Sequence, residues 1–226
     1  MLVYSPSNMA AYVQCPRKFQ AQYVTSELKW EPSAQKERGI QVHSSLEHAV
    51  KIGWDSVTEF PDGMNKDFAK KRVEIIRGLM AEGAAVYTEH ELAINRDRRP
   101  TTFWGGDAYI RCKADVVIVP QDSDRIVLLD WKTGRHWDTE DFQLRVEAYM
   151  SYFIYKRPVI QYSYLYIDEG DTQSGIIDLK ASVDKVRDIV DLLKEMDNAV
   201  INNDFAPKAN KFCKWCGLHN TPGCRL

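Results

Sequence analysis

The sequence predicts an α/β protein with a mixed central sheet flanked by helices. Two short apolar, β-branched segments, residues 115–119 (DVVIV) and 126–130 (IVLLD), are joined by a polar run and predict a β-hairpin. Segments with helical periodicity precede and follow this hairpin. Further strand-like segments come after the helical segment that follows it. Helices and strands therefore mix along the chain in the way that is typical of a sheet covered by helices.

Three helices are predicted before the sheet. Ser7 is the candidate N-cap of the first helix, which is interrupted or restarted at Pro16. The second helix covers residues 33–52 and the third covers roughly 65–87. One face of the second helix carries four residues at spacings of three and four, namely Ile40, His43, Glu47 and Val50.

The remaining elements follow in order. Strands are predicted at residues 89–95, 107–119 and 126–132. A helix then covers residues 139–157, and strands are predicted at 160–167 and 175–179. The last long helix begins at Ser182. This order predicts a sheet that contains both parallel and antiparallel neighbours.

Composition indicates a single domain, residues 1–226, because no linker divides the chain and its length suffices for one core. We find no apolar run long enough to span a bilayer and no signal peptide, so a cytoplasmic protein without a membrane partner is expected. The net charge of −2 does not by itself indicate a nucleic-acid binder. Two local basic patches are either solvated faces or phosphate contacts: Lys66, Lys70, Lys71, Arg72 and Arg77, and the turn Arg96, Arg98 and Arg99.

The ends of the predicted hairpin carry its most informative residues. If the hairpin is symmetric, residue 120 faces 125, and Asp115 then faces Asp130. Two unscreened like charges destabilise such a pair, and a divalent cation would resolve the conflict. Lys132 lies on the same face as Asp130 because side chains alternate along a strand. An exposed hairpin end with solvated charges is the alternative, but these strands are too apolar for surface strands.

An ordered set of motifs surrounds this hairpin. Tyr12-x-x-Cys15-Pro16-Arg17-Lys18-Phe19 comes first, a helical His43 follows Gly39, and Asp115 and Asp130-x-Lys132 come next. This set resembles the RecB-type and Cas4-like branch of the PD-(D/E)XK nucleases, which includes phage-encoded exonucleases. The resemblance implies a restriction-endonuclease-like core that hydrolyses DNA with the help of a metal ion.

The resemblance assigns roles to these residues. Asp115 and Asp130 would bind Mg²⁺ or Mn²⁺, with the Trp131 carbonyl as a third ligand, since hard oxygen ligands suit these ions. His43 would bind the metal too, whereas by itself a histidine on a helix face is more often a core residue. Lys132 would orient or help to deprotonate the attacking water. Lys113, opposite Lys132 by the same hairpin arithmetic, either reinforces that lysine or is an ordinary surface residue.

Two further positions follow from the same resemblance. Glu91 matches a strand position where relatives often place another acid near the metal; the alternative is a solvated glutamate. Gln143 begins a Gln-Leu motif that implies a catalytic role, and relatives usually have a tyrosine one turn later. In this chain Glu147 occupies that place, and it either replaces the tyrosine or is solvated. The tyrosine comes later, at Tyr149, on a different helix face from Gln143.

The cysteines form a second constellation. Cys213, Cys216 and Cys224 offer three soft sulfur ligands in a short polar tail. The resemblance adds Cys15 as the fourth ligand of a [4Fe–4S] cluster. Residues 1–30 and 205–226 would then form one metal-cluster region that joins the chain ends. The alternative is a Zn²⁺ site formed by Cys213, Cys216, His219 and Cys224. Cys112 is interpreted as a structural thiol.

These observations favour a metal-dependent DNA exonuclease that acts on single-stranded or end-bearing DNA. Replication, recombination or repair proteins are its candidate partners, and the oligomeric state stays open. Trp104, Trp137 and Tyr12 either stack bases or belong to the core. A structure-specific endonuclease or nickase and a non-catalytic DNA-binding module are the competing hypotheses. Intact Asp115, Asp130 and Lys132 argue against the last of these.

Overall fold

The β-hairpin of residues 115–130 belongs to a five-stranded mixed sheet in the computed structural model of the chain. The structure describes residues 2–29, 33–134, 142–181, 183–219, 221 and 224, and for 183–186 only the backbone. Two compact units make up the chain. Residues 32–182 are called the sheet unit, and residues 1–31 with 183–226 are called the terminal unit.

The strands of the sheet unit lie side by side in chain order. Their bounds are β1 Ala85–Asn95, β2 Ala108–Val119, β3 Arg125–Lys132, β4 Val159–Tyr166 and β5 Asp171–Asp178. All neighbouring pairs are antiparallel except β3 and β4, which run parallel. A parallel pair needs a crossover connection, and a helix lies between these two strands in the chain. The predicted mixed α/β fold is confirmed.

The hairpin register follows the predicted symmetry. Val116 pairs with Leu129, Val117 with Leu128 and Ile118 with Val127, which is the register in which residue 120 faces 125. The ladder ends one pair before Asp115 and Asp130. Both acids therefore lie where β2 and β3 begin to separate.

Three helices belong to the sheet unit, and their bounds are α3 Ala34–Ile52, α4 Lys66–Ala81 and α5 Phe142–Tyr155. The side chains of Ser33 and Asn65 cap the N-termini of α3 and α4 by accepting backbone hydrogen bonds. The core between sheet and helices is apolar and includes Val42, Leu46, Val73, Ile76, Val116, Ile118 and Trp131. Burial of this face fixes α3 and its histidine against the sheet.

Several predicted boundaries and faces were wrong. Helix α4 ends at Ala81 instead of 87, because Gly83 adopts a positive φ of 94° and the chain then enters β1 four residues earlier than predicted. On α3, Ile40 is 60% exposed, whereas Val42 and Leu46 are buried. The apolar face of α3 is thus rotated away from Ile40, and His43 lies at its margin.

The terminal unit contains the first and last helices. Their bounds are α1 Pro6–Gln14, α2 Pro16–Phe19 and α6 Val183–Asn202, and a π-helical turn, Gln20–Val24, extends α2. Ser5, rather than the predicted Ser7, is the N-cap of α1. The hydroxyl of Tyr12 on α1 donates to Glu195 on α6 at 3.1 Å. None of the helices in the described part of the chain is long and apolar enough to cross a membrane.

Candidate metal and catalytic site

Asp115 lies at the centre of a polar cluster on β2. Its Oδ2 accepts a hydrogen bond of 2.7 Å from the backbone N–H of Trp131 on β3. Its Oδ1 is 3.2 Å from Nδ1 of His43 on α3. The neighbours of Asp115 in β2 pair with His90 and Thr88, so Glu89 is the residue of β1 that faces it. One carboxylate thus connects a helix and three strands.

Glu89 was not predicted as a site residue. Its φ of 48° is in the left-handed region, which is uncommon for a non-glycine residue and costs energy unless the surroundings hold it. Ligand atoms of His43, Glu89 and Asp115 all lie within 4.8 Å of one another. No signal in the sequence distinguishes Glu89 from Glu91, because only the register between β1 and β2 brings Glu89 opposite Asp115.

His43 is held beside Asp115 by contacts at the start of α3. Arg38 forms two hydrogen bonds, of 2.9 and 2.8 Å, with the carboxylate of Asp168, and Asp168 also accepts the backbone N–H of Gly134. These contacts anchor α3 to the segments that follow β3 and β4. Burial disfavours the charged imidazole, but the hydrogen bond and charge of Asp115 outweigh it, so the pKa of His43 is raised.

Asp130 and Lys132 form the second half of the site, on one face of β3. Nζ of Lys132 is 2.7 Å from Oδ2 of Asp130. Gln143 on α5 bridges the pair, since its Nε2 donates to Asp130 Oδ1 at 2.5 Å and its Oε1 accepts from Lys132 at 3.0 Å. The amide of Gln143 therefore fixes both the acid and the lysine.

Glu147 extends this network into the core. It is 1% exposed, and its Oε1 accepts a 3.0 Å hydrogen bond from Nε2 of Gln143. Burial, followed by the charge of Asp130, raises its pKa well above the usual range for a glutamate. The solvated interpretation of Glu147 was wrong, and the residue occupies the place one helical turn after Gln143.

Electrostatics at the site favour a bound cation. Burial and then the charge of Asp115 raise the pKa of Asp130 to about 6, although Lys132 opposes the shift. Burial and the charge of Asp115 also raise the pKa of Glu89. Oδ2 of Asp130 is buried and lies 2.7 Å from the ammonium group of Lys132. Crowded, buried carboxylates fit a divalent cation, which would stabilise their charged forms.

An open pocket of about 450 Å³ gives access to this cluster. Its walls include residues of α3, β1 and β2, among them His43, Glu47, Glu89, Lys113 and Asp115. Nζ of Lys113 is 3.6 Å from Oε2 of Glu89. Lys113 thus neutralises an acid of the pocket and brings a positive charge to its rim.

The structure brings together most of the residues predicted for this site. His43, Asp115, Asp130, Lys132 and Gln143 form one connected network, and Trp131 contributes its backbone N–H while its indole is in the core. Glu91 is exposed on β1 opposite Lys113 and does not join the group that Glu89 completes. Tyr149 is buried and interacts with Arg98.

Four cysteines line one pocket in the terminal unit. Cys15 lies between α1 and α2, and Cys213, Cys216 and Cys224 come from the tail. The Sγ atoms of Cys15 and Cys213 accept backbone hydrogen bonds from Lys208 and Asn210, respectively. Burial and then the neighbouring thiols of Cys15, Cys216 and Cys213 raise the pKa of Cys224. The sulfur atoms thus share one neighbourhood.

Other candidate residues lie elsewhere. His219 is exposed and is not among the residues that line the cysteine pocket. Cys112 is buried in β2, where its thiol contacts Met150. Tyr12 is buried, so its ring is not available to stack a base, whereas Trp104 is 75% exposed. Trp137 lies outside the described residues.

One comparison with known proteins identifies a family for the chain. The family model of the PD-(D/E)XK nuclease superfamily matches residues 3–221. Among solved structures, 25 chains match, and one of them is the crystal structure of SSO0001. That match has 16% sequence identity and a TM-score of 0.45, and it covers 99% of this chain and 87% of the other. No curated protein matches the sequence.

Proposed function

The chain belongs to the PD-(D/E)XK nuclease superfamily, whose members use divalent metal ions, and we propose from this premise that it is a Mg²⁺- or Mn²⁺-dependent exodeoxyribonuclease. Its substrate is single-stranded or end-bearing DNA. The observation that carries the proposal is the convergence of His43, Glu89 and Asp115 within 4.8 Å, beside the ion pair of Asp130 and Lys132. Carboxylates that can bind a divalent ion, beside a lysine, are groups that support metal-dependent phosphodiester hydrolysis.

The metal ion would be held by Asp115, Asp130, His43 and the Trp131 carbonyl, with Glu89 in the place first considered for Glu91. Oxygen ligands suit Mg²⁺, and the nitrogen ligand of His43 shifts the preference toward Mn²⁺. When bound, such an ion supplies charge neutralisation at the phosphate and lowers the pKa of a water molecule.

Lys132 is the catalytic side chain that the protein places next to the metal ion. Its ammonium group lies 2.7 Å from Asp130 and is oriented by Gln143. A cation at this point holds the attacking water and stabilises negative charge that develops on the phosphate. Gln143 is a positioning residue because it acts through Asp130 and Lys132, and Glu147 fixes the amide of Gln143 in turn.

We extend the proposal to the cysteine pocket, which would hold a [4Fe–4S] cluster through Cys15, Cys213, Cys216 and Cys224. Cys15 lines this pocket and His219 does not, which favours the four-cysteine set over the zinc set of Cys213, Cys216, His219 and Cys224. Four thiolates are the ligand set of a [4Fe–4S] cluster, in which each thiolate binds a different iron.

The assay of this function compares DNA forms. Purified protein with Mg²⁺ or Mn²⁺ should degrade end-labelled linear DNA to short products and leave closed double-stranded circles intact. Single-stranded linear DNA should be degraded at least as fast as duplex, and EDTA should stop both reactions. Rapid linearisation of closed circles would instead support the endonuclease hypothesis. Binding without cleavage of any form would support a DNA-binding module. Such an enzyme would serve replication, recombination or repair, together with proteins of those pathways.

A further inference from the structure

The outward face of β2 carries a line of polar and aromatic side chains that leads away from the metal pocket. Alternate residues from Asp115 toward the start of the strand, Lys113 and Arg111, are partly or fully exposed, while the intervening Cys112 and Ala114 are buried. Asp115 and Lys113 both line the pocket. Arg111 is four residues from Asp115, which corresponds to roughly 14 Å along a strand.

Tyr109 continues this line at a β-bulge. Ile110 pairs with Ile94 and Ala108 with Asn95, so Tyr109 is an extra residue of β2 without a counterpart on β1. A bulge changes the direction of a side chain and increases the local twist. The guanidinium group of Arg96 lies over the Tyr109 ring, 4.2 Å from its centroid. A basic residue of the hairpin turn is thus held on this face.

Trp104 lies beside Arg111, in the loop between β1 and β2. It is 75% exposed, which is unusual for the largest side chain. Arg111 supports the indole with its guanidinium group 4.4 Å from the ring centroid, and the Phe103 ring packs edge-on at 5.1 Å. The indole is thereby held in place while most of its surface stays open.

The loop that carries Trp104 is built to hold its shape. Thr101 donates a 2.6 Å hydrogen bond to Asp107, Asn95 donates to the same carboxylate, and backbone hydrogen bonds tie residues 101, 105 and 108 across the loop. A side chain at Gly105 would lie 2.9 Å from atoms of Thr102 and Asp107. The tryptophan is therefore presented from a closed turn, which reduces the entropy lost when a ligand binds.

We propose that this surface, consisting of Lys113, Arg111, Tyr109, Arg96 and Trp104, binds the single-stranded DNA that extends from the scissile phosphate. The proposal rests on the proposed nuclease function and adds the path of the substrate. Lys113, Arg111 and Arg96 supply positive charge for successive phosphates, and Trp104 supplies a stacking surface for an unpaired base. A duplex hides its base faces in its own stack, so an exposed indole beside arginines fits a single strand.

Binding measured without cleavage tests this path. In EDTA, the fluorescence anisotropy of a labelled oligothymidylate should show that Trp104→Ala and Arg111→Ala each weaken binding roughly tenfold, as expected when a base stack or phosphate contact is lost. Trp104→Phe should restore most of the affinity because it keeps an aromatic face. Trp215→Ala is the matched control. Trp215 is 70% exposed and has the ammonium group of Lys214 over its ring, but it lies in the terminal unit.

Substrate length separates this surface from the metal pocket. A thymidine dinucleotide reaches the pocket but not Trp104, so its cleavage should be unaffected by Trp104→Ala, whereas KM for a long strand should rise with little change in kcat. Equal affinity of wild type and Trp104→Ala for the long strand would overturn the proposal, as would an equal loss for duplex DNA or for Trp215→Ala. If wild-type protein cleaves no DNA, the nuclease proposal fails separately, and the binding result still decides whether the surface holds a single strand.

Discussion

The carboxylate cluster around Asp115 and the cysteine pocket around Cys15 are both suited to metals but are assembled in opposite ways. The carboxylate cluster combines oxygen ligands from β1, β2 and β3 with the imidazole nitrogen of His43 on α3, so it depends on sheet register. The cysteine pocket combines soft sulfur ligands from an interhelical residue and a short tail. Ligand chemistry therefore suits hard ions in one region and, as we propose, iron or zinc in the other.

The two regions also differ in how burial and neighbouring groups affect the pKa values of their ligand side chains. In the sheet unit, three acids, Glu89, Asp130 and Glu147, have raised pKa values because burial and neighbouring carboxylates disfavour their charged forms. In the terminal unit, burial and the neighbouring cysteines raise the pKa of Cys224. A cation would balance the charge of the acids in the first region, and a metal held by Cys15 and the tail cysteines would cross-link the second.

The largest expected effect is the loss of DNA cleavage in variants of the carboxylate cluster, with the cysteine pocket left intact. Asp115→Ala, Asp130→Ala and Lys132→Ala should each reduce cleavage of linear DNA by about a thousandfold or more, because loss of a metal ligand or of the positioned cation removes several kcal/mol of transition-state stabilisation. Iron content should stay at the wild-type level. Asp122→Ala, an exposed acid in the loop of the same hairpin, is the control and should cleave normally. Near-normal cleavage by folded Asp130→Ala would refute the metal mechanism.

The next largest effect is the loss of iron and of thermal stability in a variant of the cysteine pocket. Cys15→Ser should remove the broad absorbance near 400 nm and the roughly four irons per chain of anaerobically purified protein, as expected for four-thiolate ligation. The Tm should fall by roughly 10 °C, since about 2–4 °C corresponds to 1 kcal/mol in a chain of this size.

Cys112→Ser is the control for this variant, because Cys112 is a buried thiol of the sheet unit that contacts Met150. It should keep its iron. One zinc per chain that survives Cys15→Ser and is lost in His219→Ala would assign the tail to zinc and leave the nuclease proposal standing.

A smaller effect separates two glutamates that are neighbours on β1. Glu89→Gln should weaken Mn²⁺ binding by about tenfold or more, in the range typical for loss of a group that supports a metal site. Glu91→Gln should leave the affinity unchanged, since Glu91 is exposed opposite Lys113. Isothermal titration with Mn²⁺ measures both. The reverse order of the two variants would restore Glu91 as the ligand.

These two glutamates illustrate what could be predicted from the sequence. The hairpin between β2 and β3 was predictable because its loop is short and polar and its strands are apolar, and these features fix the pairing of Val116 with Leu129. The register of β1 against β2 was not predictable, because a 12-residue loop, Arg96 to Asp107, separates the strands and a bulge at Tyr109 of β2 shifts their pairing. Glu89 was therefore missed.

Helix faces were predicted less well than helix positions. On α3 a histidine and a glutamate alternate with apolar residues, so the pattern does not decide whether Ile40 or Val42 faces the core, and packing against the sheet decides it. The tail cysteines were the easiest residues to group, since their spacing is visible without knowledge of the fold, and the family resemblance added Cys15 to them. The buried state of Glu147 was not visible, because it depends on how α5 packs.

The smallest expected effect concerns the stability of metal-free protein in EDTA. The pKa of Asp130 is raised from an ordinary value of 3.8 to about 6 in the folded protein. A carboxyl group with a raised pKa in the folded state stabilises the fold fully at low pH, and this contribution is lost as pH rises through the folded pKa. Metal-free protein should therefore lose stability between about pH 4 and pH 6 through this group.

Asp130→Asn removes the titration and keeps an oxygen that can accept the hydrogen bond from Gln143. In EDTA at pH 8, urea unfolding should show the variant to be more stable than wild type by on the order of 1 to 3 kcal/mol, since each pKa unit corresponds to about 1.4 kcal/mol. At pH 4 the difference should nearly vanish, and Asp122→Asn should show no such pH dependence. Mn²⁺ at pH 8 should reverse the order by stabilising wild type alone. A variant less stable than wild type at both pH values would mean that the ion pair with Lys132 outweighs the burial of Asp130, and the acid would then be stable without its metal.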